Sequence, residues 1–469
     1  MMNRRDFLRT TAAGLGTLAA GAGAWAQGSN ADGRKPNIVF ILSDDIGWGE
    51  IGCYGSDKVL TPTIDRIARE GVKFNSAYCG TSVCAPSRCA LMTGLHMGHA
   101  SVRANREIQP EGQMPMPADT VTVAHLLKRA GYKTACIGKW GLGKPDSVST
   151  PDKMGFDHFF GYNCQRHAHG YYPNYLWRNG QHVELDGKTY SHDLMAAEAL
   201  TWVRDNAASP FFLYLALTIP HARYEVPDLG PYADKDWPEV NKKMAAMITR
   251  MDRDIGRLLD LLAELKLADD TLVIFAGDNG AATSGKMLEF FNSNGPWRGI
   301  KRSMYEGGLR VPAVARWPGK IKPATTSDVP WAFWDFLPTA VEMAGAKLPD
   351  GMKIDGLSMV STWCGGPPPK RDYLYWELYE GKFQQAIRLG DWKGVRTGPG
   401  KPLEVYDLKS DGEEAKNLAA EKPDVAAMLE AKMKEAHADD PNFPTTLGGG
   451  KGGVKKAKGP KAAAPAKKG

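Results

Sequence analysis

Four apolar, β-branched runs limit what this chain can become: residues 37–42, 134–137, 211–218 and 271–276. None alternates polar with apolar, so each reads as a strand buried on both faces. Helical stretches separate them at 63–70, 121–130, 192–206 and 240–265. Strands alternating with helices predict an α/β fold with a mostly parallel central sheet flanked by helices. After Gly365-Gly366-Pro367-Pro368-Pro369 the pattern changes. Short strands at 373–377, 384–389, 392–395 and 403–406, then a helix at 424–437, predict a smaller antiparallel sheet. The expected domains are a body at 27–359 and a small α+β unit at 360–446. The Gly/Lys/Ala-rich residues 447–469 read as a disordered tail.

Charge argues against a nucleic-acid partner. The chain of 469 residues carries a net +6, but seven lysines lie in 447–469 and a net two positive charges in the first 26 residues. The body 27–446 is left at −3, with no basic excess to form a groove. The first 26 residues read as an export signal. Asn3-Arg4-Arg5-Asp6-Phe7-Leu8-Arg9 resembles the twin-arginine pattern, an apolar stretch follows, and Ala24-Trp25-Ala26 offers a cleavage site. The expected location is the periplasm or the outside of the cell. No later segment has the ~18 apolar residues of a membrane span. Of seven cysteines, at 53, 79, 84, 89, 136, 164 and 364, one must stay unpaired. Folding in a reducing cytoplasm before export argues against a disulfide framework.

Ligands of an open α/β sheet bind beyond the carboxyl ends of its strands. Ser43-Asp44-Asp45, Gly138-Lys139-Trp140, Ile219-Pro220-His221 and Gly277-Asp278-Asn279-Gly280 follow the four runs. Three carboxylates, an amide, a lysine and a histidine should therefore gather on one rim. Asp-Asp and Asp-Asn-Gly are also ordinary turn chemistry, but turns have no reason to share a rim. Crowded carboxylates need a cation, and this hard-oxygen set suits Ca²⁺ or Mg²⁺. Residues 84–94, Cys-Ala-Pro-Ser-Arg-Cys-Ala-Leu-Met-Thr-Gly, place Cys84 just before a helix start and Arg88 one turn on. That arrangement suits a tetrahedral anion, although a free cysteine is more often a small core residue.

These residues carry a resemblance. Cys84-x-Pro86-Ser87-Arg88, continuing to Thr93-Gly94, resembles the signature of the type I, formylglycine-dependent sulfatases of the alkaline phosphatase superfamily. The flanking blocks Asp44-Asp45-Ile46-Gly47-Trp48-Gly49, Gly138-Lys139-Trp140, Gly277-Asp278-Asn279-Gly280, Gly299-Ile300-Lys301 and Tyr305-Glu306-Gly307-Gly308-Leu309-Arg310 agree with it over about 36–410. The resemblance implies an alkaline-phosphatase-like fold and hydrolysis of an aryl or carbohydrate sulfate ester. It implies that a maturation enzyme oxidises Cys84 to Cα-formylglycine. It also implies Ca²⁺ held by Asp44, Asp45, Asp278, Asn279 and the side chain at 84. Arg88, Lys139, His221 and Lys301 match positions that hold sulfate or move protons, with His221 or Lys301 as general acid. Glu306 and Arg310 read as structural. The hydrated aldehyde has two hydroxyls, one to attack sulfur and one to expel sulfate afterwards.

One position departs from the family. Many sulfatases have histidine two residues after the motif lysine, where this chain has Gly141. The loop Gln165-Arg166-His167-Ala168-His169-Gly170-Tyr171-Tyr172 suits a sugar or aryl pocket, and His167 or His169 is expected to take part of the missing role. His96, His99, Arg103 and Asn105 are lesser candidates for facing substrate. Two other readings stand. One is a phosphonate or phosphate-ester hydrolase of the same superfamily, although no metal-type histidine pair is evident in the sequence. The other is an exported binding module with an unmodified cysteine.

Overall fold

The computed structural model describes residues 34–446. The expected export signal at 1–26 and tail at 447–469 lie outside the described residues. A ten-stranded sheet runs, edge to edge, through Thr325–Ser327, Val72–Phe74, Ala313–Arg316, Thr271–Gly277, Asn37–Asp44, Phe211–Pro220, Lys133–Lys139, His158–Tyr162, Tyr175–Arg178 and Gln181–Glu184. The five strands from Thr271–Gly277 to His158–Tyr162 are parallel. Antiparallel pairs flank them, with Ala313–Arg316 on one side and Tyr175–Arg178 on the other.

The four expected runs are the central strands of this sheet. All residues of Asn37–Asp44, Phe211–Pro220 and Thr271–Gly277 are buried. Alternate side chains feed two separate cores. Ile38, Phe40 and Leu42 pack with Phe333, Phe336 and the helix Cys84–Thr93, while Val39 and Ile41 pack with the helices Ser191–Asp205 and Glu239–Glu264. Two apolar faces explain why the runs do not alternate. The chain has the alkaline-phosphatase-like arrangement of a mostly parallel sheet between helices, with a small antiparallel sheet beside it.

That small sheet is a meander of Leu374–Leu378, Gln384–Leu389, Trp392–Arg396 and Glu404–Asp407. Tyr375, Ile387 and Val405 pack on Leu429 and Met433 of the helix Pro423–Ala436, whereas Trp376, Ala386 and Val395 join the main core. Buried charges fasten the junction. Lys393 Nζ lies 2.8 Å from both Glu306 and Glu414, and Arg310 Nε lies 2.6 Å from Glu306. Burial works to raise the Glu306 carboxyl, but Lys393 and Arg310 outweigh it and hold the group below the ordinary carboxylate range.

Candidate active site

The carboxyl ends of the central strands meet as the sequence predicts. In a regular strand Asp44 and Asp45 would point to opposite faces. Asp45 instead turns left-handed, at φ 69°, a conformation that Asp tolerates better than most residues. Both carboxylates then reach one site. Asp45 donates its backbone N–H to Asp278 Oδ1 at 3.0 Å and accepts from Asn279 Nδ2 at 2.7 Å. Asn279 Oδ1 is buried and has no partner among the described residues.

Two buried ammonium groups answer these acids. Lys139 Nζ lies 2.5 Å from Asp44 Oδ2, and Lys301 Nζ lies 2.5 and 2.7 Å from the two oxygens of Asp45. Burial opposes ionisation of Asp44, yet Lys139, with His221 and Arg88, holds its carboxyl well below the usual range. Asp278 goes the other way. Burial, reinforced by the neighbouring Asp44, pushes it up to about 7. Three acids are more than these cations can keep charged, and a further cation would relieve the repulsion. One donor atom from each of Asp44, Asp45, Cys84 and His221 lies within 4.8 Å of the others.

The helix Cys84–Thr93 is buried along its whole length and begins at Cys84 itself, rather than just after it. Cys84 Sγ lies 3.5 Å from Asp44 Oδ1 and 3.4 Å from Lys301 Nζ. Burial pushes its thiol up to about 12 despite the two lysines. Arg88, one turn on, is fully buried. It donates to Asp278 Oδ2 at 2.9 Å and to the Lys139 carbonyl at 2.8 Å. It therefore braces one acid and the end of one strand. All seven cysteines are free thiols.

His221 presents Nε2 3.3 Å from Asp45 Oδ2, with Nδ1 hydrogen-bonded to the Ala222 carbonyl. His169 stacks on it, centroids 4.0 Å apart and planes within 13°, and burial drives His169 down to about 3, a neutral ring. His167 turns elsewhere. It packs on Tyr162 and Tyr175, with Nδ1 3.6 Å from Glu111. Among the lesser candidates only Asn105 touches the Cys84 helix, accepting from the Ala85 N–H at 2.9 Å. Arg103 pairs with Glu377 instead.

The structure corrects the expectation of no metal-type histidine pair: His96 and His99 stack 4.5 Å apart beside Asp355. His96 Nδ1 accepts from the Gly98 N–H, so the neutral ring keeps its proton on Nε2, toward Asp355. The set ties a loop to Asp355 and stands apart from the carboxylate rim.

Two polar groups were not singled out in the sequence. Glu380, at the turn after Leu374–Leu378, accepts from the Asn105 N–H at 2.9 Å and lies 3.9 Å from the exposed Arg302, next to Lys301. No local motif could announce it, because the contact spans 275 residues. Gln165 crosses the α-carbon of Gly141, where an added Cβ would meet Nε2 at 2.3 Å. Neither polar atom of its buried side chain has a hydrogen-bond partner among the described residues, a state worth about 1–3 kcal/mol of lost stability.

Residues 36–346 match the Sulfatase family, and 297–439 match the family described as N-sulphoglucosamine sulphohydrolase, C-terminal. N-acetylgalactosamine-6-sulfatase of Rattus norvegicus is 34% identical over 387 residues, covering 77% of this chain and 71% of that protein. Arylsulfatase A of Homo sapiens is 32% identical over 406 residues, covering 77% and 74%. The crystal structure of Ps i-CgsB in complex with k-i-k-neocarrahexaose superposes with a TM-score of 0.79 at 27% identity, covering 88% of this chain and 94% of that one.

Proposed function

Because the chain belongs to the sulfatase family and is a sulfuric ester hydrolase, we propose that it desulfates a carbohydrate, using Cys84 converted to Cα-formylglycine beside a bound Ca²⁺. The observation that carries this reading is the buried rim where Asp44, Asp45, Asp278 and Asn279 converge on the Cys84 helix. The sugar is supported by the sugar sulfate and the oligosaccharide that the relatives' names carry. Maturation by a formylglycine-generating enzyme and export by the twin-arginine route to the periplasm or beyond belong to the same proposal.

The residues fit the ion. Three carboxylates and the Asn279 oxygen, unpartnered among the described residues, are all hard donors, and burial beside Asp44 pushes the Asp278 carboxyl up to about 7. Asp44, Asp45, Asp278, Asn279 and the modified side chain would hold Ca²⁺, which when bound polarises sulfuryl oxygen and lowers the basicity of a coordinated hydroxyl. Residue 84 in its hydrated formylglycine form would supply two hydroxyls on one carbon, one able to attack sulfur and the other able to expel sulfate by losing its proton. The sum is ester plus water to alcohol plus hydrogen sulfate.

The chain's own groups do the rest. Lys139 and Lys301 bring positive charge to the sulfuryl oxygens. Arg88 keeps Asp278 and the end of the Lys133–Lys139 strand in place. His221, whose Nδ1–H donates to the Ala222 carbonyl, acts as the imidazolium, the form favoured by the Asp45 carboxylate 3.3 Å from Nε2, and passes its Nε2 proton to the leaving alcohol. His221→Asn should therefore slow an alkyl or sugar sulfate by about 10²–10⁴-fold. An aryl sulfate with an acidic phenol needs less protonation and should lose about tenfold or less. Equal losses on both esters would remove His221 from the acid role.

Matched sulfate and phosphate monoesters of one phenol test the whole reading, with calcium present and the maturation enzyme coexpressed. The sulfate should be cleaved faster by at least about 100-fold. The reverse preference would make the protein a phosphate-ester hydrolase. No turnover of either, with an intact thiol at 84, would make it a binding module.

A further inference from the structure

We propose that the side-chain amide of Gln165 is a substrate contact, donating to an oxygen of the bound sulfuryl group from the space above Gly141. This rests on the sulfate-ester reading. The backbone sets the placement. Trp140 N–H donates to the Tyr162 carbonyl at 2.9 Å and Gly141 N–H to the Asn163 carbonyl at 3.0 Å. These bonds continue the pairing of Lys133–Lys139 with His158–Tyr162 beyond the sheet's edge. They carry residues 163–165 alongside Gly141, two positions after the lysine whose ammonium bonds Asp44.

Three observations converge on that amide. It belongs to a side chain only 7% exposed, yet neither Oε1 nor Nε2 has a hydrogen-bond partner among the described residues. It fills the room that a side chain at 141 would take, with Nε2 2.3 Å and the amide carbon 3.2 Å from a Cβ there. Gly141 sits at φ 72°, where a side chain would be strained. Four residues on, the same loop delivers His169 to its stack with His221. Buried amides in native folds are paired, so one left unpaired over Gly141, two positions after Lys139, is completed by what binds there.

The chemistry suits a sulfate ester. A sulfuryl oxygen accepts and never donates, and a primary amide offers two N–H groups. It does so without a charge of its own, beside a rim where Lys139 and Lys301 already supply two. The amide carbonyl is left to accept a hydroxyl of the sugar.

Two variants with matured protein decide it. Q165L keeps the bulk and deletes the amide. Its unliganded melting temperature should hold or rise, while kcat/KM on a sulfate ester falls about 10–100-fold and inhibition by inorganic sulfate weakens to match. Q165E keeps the shape and replaces the donor with an oxygen, so its sulfate affinity should fall at least as far. The proposal is overturned if Q165L melts lower with turnover per formylglycine unchanged, which is the mark of a packing role, or if Q165E binds sulfate as the wild type does. Should Q165L fail to fold, Q165E decides alone. Wild-type protein with formylglycine in place that cleaves no sulfate ester would instead defeat the sulfatase reading, whatever Gln165 does.

Discussion

Cys84→Ala removes sulfate-ester hydrolysis, by at least about 10⁴-fold in kcat, and leaves the fold standing. The side chain is 2% exposed at the first turn of a buried helix, and its sulfur hydrogen-bonds with Asp44 and Lys301. The loss should be chemical because an untouched thiol there is a poor nucleophile. With burial holding it up to about 12, it is protonated at neutral pH. The same argument predicts that wild-type protein made without a maturation enzyme is nearly as inactive as the alanine variant. Peptide mass spectrometry checks this. Active preparations should carry residue 84 lighter by about 18 Da, the change from CH₂SH to CHO, and activity should scale with that fraction. Full turnover from protein whose residue 84 is still a thiol would discard the formylglycine mechanism.

Arg88→Ala should be costly twice over. Its guanidinium is fully buried, with bonds to Asp278 and to the Lys139 carbonyl. Removing it strands Asp278 against Asp44, and breaking a buried pair from one side typically costs about 3–5 kcal/mol. Letting Asp278 and the end of the Lys133–Lys139 strand shift out of place should slow kcat by a further ~10²-fold. Arg88→Lys separates the two effects, since it restores one charge but cannot reach both partners in the same fork. Denaturant unfolding and kinetics on the three proteins report them side by side. Alanine that melts like the wild type would show that Arg88 does not brace the acids.

How far the sequence could be read depended on the range of each signal. The central strands were legible because a strand with a core on both faces has no polar positions, and the rim residues followed from where those strands end. The edge strands were not. Thr325–Ser327 spans three residues, too few for any period to show. The left-handed turn at Asp45 was hidden too, since it depends on Asp278 receiving its N–H from 233 positions away. His167 and His169 looked alike as loop histidines. Only the turn between them sends one ring to His221 and the other to Tyr175. Gln165 stood in the same loop as one polar residue among several. What singles it out is a missing side chain at Gly141, just past the end of a neighbouring strand.

The order of strands in the sheet sets a timetable for biosynthesis. Asn37–Asp44 is made early, yet its two neighbours are Phe211–Pro220 and Thr271–Gly277, and Lys301 lies later still. The walls around residue 84 therefore cannot assemble until most of the polypeptide has left the ribosome. The proposed modifying enzyme would have the whole of that interval to reach an extended segment which, once the last strand docks, is sealed from any macromolecule.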